Sequence, residues 1–121
     1  VKKLITSLLL AAGVALGAGA CAPTAEPAGL AEGTIVIDVR TPAEFASGHL
    51  EGALNIDIQS PDFFATVSQL DPSADYFIYC RSGNRSGQAI AQMTNLGFTS
   101  MENGGSVQEA TARSGIPVVT D

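Results

Sequence analysis

Tyr76-Phe77-Ile78-Tyr79-Cys80-Arg81-Ser82-Gly83-Asn84-Arg85-Ser86 is the stretch on which the fold turns. The apolar run Tyr76 to Tyr79 suits a strand buried on both faces of a sheet. After Ser86, Ala89, Ile90, Met93 and Leu96 recur at helical spacing, and Gly97 supplies a left-handed stop. The stretch therefore predicts a strand that turns into a helix, with a cysteine at the turn. A thiolate there faces unpaired backbone N–H groups and the positive end of the helix dipole, both of which favour the charged form. Arg81 and Arg85 add positive charge close by, and Gly83 permits the loop to curl. Cys80 thus reads as a nucleophile, with Arg81, Ser82, Gly83, Asn84, Arg85 and Ser86 as the loop that would hold its substrate. An inert core cysteine is the plain alternative, and the flanking arginines and glycine weigh against it.

Working outward, Ile35-Val36-Ile37 reads as a second buried strand. Thr41-Pro42-Ala43-Glu44 has capping-box spacing with proline at the first helical position, predicting a short helix that stops by Gly48. His49 to Gly52 reads as a turn and Ala53 to Ile56 as a strand. Ser60-Pro61-Asp62 predicts another helix start, with Phe63, Phe64, Val67 and Leu70 on one face and Asp71-Pro72 as its end. Phe98 to Met101 reads as a further strand. Ser106-Val107-Gln108-Glu109 repeats the capping-box pattern and starts a last helix that ends at Gly115. Short strands alternating with helices predict an α/β sandwich, with a mostly parallel sheet of four or five short strands covered by helices on both faces. In such sheets ligands bind beyond the carboxyl ends of the strands, where Cys80 lies.

At 121 residues the chain has room for one small domain over 34–121. The formal charge is −6; without Lys2 and Lys3, four arginines face twelve carboxylates, a balance of −8. That balance argues against nucleic acid, whose phosphates attract cationic surfaces. No His/Cys cluster has metal-ligand spacing, so neither a metal nor a cofactor is expected.

Residues 1–20 read as a secretory leader: Lys2 and Lys3, an apolar run from Leu4 to Leu16, and Ala18-Gly19-Ala20 just before Cys21. The run is too short to span a bilayer. Its ending on cysteine resembles the lipobox of bacterial lipoproteins, in which Cys21 would be acylated, although Ala18 stands where that family usually has leucine. Ordinary cleavage at the same bond and a retained anchor are the alternatives. Residues 21–33, rich in small residues, Pro23, Pro27, Gly29 and Gly33, read as a flexible tether. The expected location is the cell envelope, lipid-anchored on the periplasmic or outer-surface side of a membrane. An acylated Cys21 would leave Cys80 without a disulfide partner in the chain.

Taken together, the motifs resemble the rhodanese family. Asp38-Val39-Arg40 with Glu44-Phe45 and Gly48 to Ile56 looks like its first block, and Cys80 to Ser86 looks like the active-site loop of its single-domain members. Asn103-Gly104-Gly105 and Gly115-Ile116-Pro117-Val118 resemble its closing block. The tryptophan common in that family between the last two motifs is absent here. The resemblance implies a sulfurtransferase in which Cys80 takes a sulfane sulfur from an anionic donor such as thiosulfate, holds it as a persulfide and passes it to a thiol or cyanide. Arg81 would attract the donor, while Arg85 would hold the loop or offer a second cation. The acceptor could also be an envelope protein.

Asp38 and Arg40 read as structural support, an ion pair anchoring the sheet edge and the loop. His49 reads as a backbone-bonding turn residue in preference to a partner for Cys80, and Glu44 reads as a helix cap. Two other functions compete. One is an envelope-tethered persulfide or thiol relay. The other is a cysteine phosphatase or arsenate reductase, whose loops resemble Cys-x5-Arg, one residue longer than the spacing from Cys80 to Arg85.

Overall fold

The computed structural model describes residues 29–120, so the leader, Cys21 and the tether up to residue 28 lie outside the described residues. Four parallel strands form the central sheet: β1 (Ile35–Asp38), β3 (Leu54–Asn55), β4 (Tyr76–Tyr79) and β5 (Met101–Gly105), in the order β3-β1-β4-β5. A separate antiparallel pair joins β2 (His49–Leu50) to β6 (Val118–Val119). The helices are α1 (Pro42–Ala46), α2 (Phe63–Val67), α3 (Asn84–Asn95) and α4 (Val107–Ser114). β1 pairs in parallel with β3 along one edge and β4 along the other, and at this interior position both of its faces are covered by packed side chains, which is why Ile35 to Ile37 carries no polar alternation.

Side chains alternate across a strand, and the two cores divide accordingly. Ile37, Val39, Tyr76 and Ile78 point to one face, where Phe63 and Val67 of α2 and Ala89 and Met93 of α3 cover them. Val36, Phe77 and Tyr79 point to the other, against Leu50 and Ala110 of α4. Helices therefore lie on both faces of a mostly parallel sheet, the predicted α/β sandwich.

Both predicted capping boxes are present. The Thr41 hydroxyl accepts from the Glu44 N–H while the Glu44 carboxylate accepts from the Thr41 N–H, and Ser106 and Glu109 repeat the exchange at α4. α4 ends where Gly115 turns left-handed.

Several expectations need correction. His49-Leu50 is a strand, because its partner Val118-Val119 comes from the far end of the chain. The segment Phe98–Met101 ends where β5 begins, and the strand runs through Asn103-Gly104-Gly105 instead. Gly104 is required there: a Cβ at that position would lie 2.7 Å from the Phe77 ring. The strand read over Ala53 to Ile56 is limited to Leu54–Asn55. α2 stops at Val67, well before Asp71, and Phe64 faces solvent with 58% exposure. Leu30 packs against the second core and Thr34 donates to the Ala31 carbonyl, so the described end of the expected tether is a packed turn.

Candidate active site

Cys80 directly follows β4, and its N–H donates to the Gly105 carbonyl at 2.9 Å, so the β5 terminus fixes the backbone at the base of the loop. The chain then curls back. Gly83 adopts φ 97°, a left-handed conformation, and its Cα side lies so close to β5 that a Cβ would come 3.3 Å from Gly105 Cα. This curl brings the Gly83 N–H to 2.9 Å from Cys80 Sγ. Ser86, buried in the first turn of α3, places its hydroxyl 3.5 Å from the same sulfur.

Burial pushes the Cys80 thiol up, but hydrogen bonding outweighs it. The Ser86 hydroxyl and the backbone N–H groups of Ser86, Ser82 and Gly83 favour the thiolate, and the net shift is below the ordinary thiol value. Cys80 itself has no accessible surface, whereas Arg81, Ser82 and Asn84 of the same loop are exposed.

The loop arginines have different environments. Arg85 is tied to Glu44 by two hydrogen bonds, Nη1 to Oε1 at 2.8 Å and Nη2 to Oε2 at 3.0 Å. The Arg85 guanidinium, with the Thr41 N–H and hydroxyl, outweighs the opposing effect of burial and holds the Glu44 carboxyl down at about 2. Arg85 thus fastens the loop to α1 as well as standing near the sulfur. Among the described residues, exposed Arg81 has no ion pair. Glu44 is more than a helix cap.

Of the supporting residues, Asp38 and Arg40 form a buried pair: Arg40 donates from Nε and Nη2 to the carboxylate, and Nη2 also reaches the Gly48 carbonyl at 2.6 Å. The expectation that the pair anchors a sheet edge is corrected, because β1 is an interior strand. The pair instead pins the turn after β1 to the entry of β2. His49 Nδ1 contacts the Phe45 carbonyl at 2.8 Å, and its ring stacks on Phe45 at 3.6 Å.

A residue to which the sequence assigned no role completes the loop. Asn103 of β5 accepts from the Ser86 hydroxyl at 2.7 Å and the Gly105 N–H at 2.9 Å, and donates to the Gly83 carbonyl at 3.0 Å. Its only sequence signal is its place before the Gly104-Gly105 pair. Among the described residues no group of three or more His, Cys, Asp and Glu side chains could hold a metal.

Comparison with known proteins finds the rhodanese-like domain model matching residues 27–107. A protein named sulfurtransferase from Allochromatium vinosum is 38% identical over 90 residues, 73% of this chain and 80% of that protein. Thiosulfate sulfurtransferase GlpE of Ectopseudomonas mendocina is 34% identical over 82 residues, covering 65% of this chain and 73% of that one. Among solved structures, a rhodanese with anions from E. coli superimposes with a TM-score of 0.61 at 28% identity, over 73% of this chain and 99% of that one.

Proposed function

The chain belongs to the rhodanese-like family, and from that premise we propose that it carries sulfane sulfur on Cys80, taking it from an anionic donor such as thiosulfate and giving it to a thiol or cyanide. The carrying observation is the Cys80 sulfur held 2.9 Å from an inward-pointing Gly83 N–H, with its ionisation favoured by the surrounding hydrogen bonds. A nucleophile that must later depart as a leaving group works best as a stabilised thiolate, and the same inward dipoles suit both roles.

In the first step the thiolate attacks the outer sulfur of thiosulfate. A Cys80–sulfur bond forms, the sulfur–sulfur bond of the donor breaks, and sulfite leaves with that bond's electron pair. In the second, the acceptor's nucleophile attacks the outer sulfur of the persulfide and Cys80 departs as thiolate. No general base at the sulfur is needed once the thiol has ionised. Arg81 is the cation available to the donor, since Arg85 is engaged by Glu44. Because Cys80 has no accessible surface, the exposed Arg81-Ser82 segment must shift to admit either reactant.

The apolar run closing on Cys21 supports export and attachment to an envelope membrane through a lipid on that residue, which would put an envelope protein within reach as acceptor. Mass spectrometry tests both readings on the full chain expressed in a bacterium. Thiosulfate should add one sulfur to the Cys80 peptide and none in Cys80→Ser, and the mature chain should start at a diacylated Cys21. Absence of any adduct with thiosulfate and with polysulfide would sink the transfer reading; an unmodified Cys21 thiol would sink the anchor.

A further inference from the structure

The Ser86 hydroxyl has one hydrogen and three acceptors around it: Asn103 Oδ1 at 2.7 Å, the Gly83 carbonyl at 3.1 Å and Cys80 Sγ at 3.5 Å. The orientation of the Asn103 amide is not free, because its oxygen faces a backbone donor, the Gly105 N–H, and its nitrogen faces a backbone acceptor, the Gly83 carbonyl. Oδ1 is therefore a fixed acceptor at the shortest of the three distances. With the Ser86 hydrogen directed there, Ser86 Oγ can meet sulfur only as an acceptor, which matches a neutral thiol donating its S–H. A thiolate has no hydrogen to give, so Ser86 must turn its own hydrogen from Asn103 to Sγ.

We propose that Asn103 is a positioning residue for Cys80, holding the Ser86 hydroxyl in the orientation that fits the thiol so that ionisation and reprotonation of the sulfur each require that hydroxyl to turn. The thiol proton itself goes to water. Asn103 thereby opposes ionisation through Ser86 while its Nδ2 steadies the Gly83 carbonyl, and with it the curl that supplies the favourable N–H. Cys80 is kept poised between protonation states. When sulfur is loaded, the charge moves to the outer atom and Ser86 can return to Asn103. The inference rests on Cys80 as the reacting group.

The charged groups on the loop and on the neighbouring elements are unchanged in the variants: Arg81 in the loop, Arg85 of α3 with Glu44 of α1 and Asp57, the Asp38–Arg40 pair at the end of β1, Glu102 of β5, and Glu109 and Arg113 of α4. The readout is the pH dependence of Cys80 alkylation by iodoacetamide, followed on the Cys80 peptide by mass, which needs no sulfur donor and separates Cys80 from Cys21. Asn103→Ala should lower the midpoint, relative to its effect in a Ser86→Ala background, by about half a pH unit, or about threefold in thiolate at fixed pH below the midpoint. Asn103→Asp, nearly isosteric and a stronger acceptor, should raise it, again less in the Ser86→Ala background, and serves if the alanine variant does not fold. Equal shifts with and without Ser86, or a coupling of opposite sign, would overturn the proposal and leave Asn103 a part of the loop's scaffold. Because the pH midpoint of alkylation reports ionisation and needs no sulfur donor, this result stands apart from whether the protein transfers sulfur.

Discussion

The loop around Cys80 is held between two walls that begin from the same sequence device and end differently. On one side, the capping box of α1 lends its glutamate to the loop: Glu44 accepts from the Thr41 N–H and from both terminal nitrogens of Arg85. On the other, the capping box of α4 stays local. Glu109 accepts from the Ser106 N–H, and what touches the loop is neutral: the Asn103 amide, the Gly105 carbonyl and a glycine pair packed against Phe77 and Glu109. One wall grips by charge and the other by shape and dipoles. A capping box therefore tells where a helix starts, and nothing about what else its carboxylate will hold.

Breaking the neutral wall should have the larger effect. Gly104→Ala places a methyl 2.7 Å from the Phe77 ring and 3.2 Å from Tyr79 Cβ, and neither neighbour is the loose end of a flexible chain. Overpacking of this kind costs about 1–3 kcal/mol, so urea denaturation should show a clear drop in midpoint, together with loss of Cys80 loading as β5 is displaced. An unchanged midpoint would mean that shape is not what holds this side.

The charged wall should give a smaller, pH-dependent effect. Glu44→Gln keeps a capping side chain but loses the ion pair, a change of about 1 kcal/mol for a partly exposed pair. The folded-state value of Glu44 is held down at about 2, below its ordinary 4.5, so the pair's contribution is fully present above pH 4.5 and fades as pH falls towards 2. Denaturation from neutral pH down to pH 3 should therefore show the wild type converging on the Glu44→Gln variant. The smallest effect belongs to Glu109→Gln, which preserves the cap and touches no loop cation; it should stay within about 0.5 kcal/mol at neutral pH. Equal losses for the two glutamine variants would erase the distinction between the walls.

What could be read from the sequence was what neighbours in sequence decide. β4, both capping boxes and the stripe of α3 are local patterns, and the parallel sheet follows from buried strands alternating with helices. β2 was not legible, because a two-residue strand exists only through its partner at Val118-Val119. Nor was the extent of β5, where Asn103-Gly104-Gly105 are poor strand formers held by their fit to Phe77. The Cys80 loop was visible because its sulfur, glycine and arginines are contiguous. The tie from Arg85 to Glu44 and the amide of Asn103 were not, since each joins residues far apart in the chain through contacts that only packing creates.

The Gly83 amide that points at the Cys80 sulfur has a further consequence. Mobile ions weaken attraction between separated, solvated charges over a Debye length of about 8–10 Å at ordinary ionic strength, but they cannot enter the 2.9 Å between an amide and a buried sulfur. Stabilisation by backbone dipoles at contact distance therefore persists in brine, while any share contributed by exposed Arg81 is screened away.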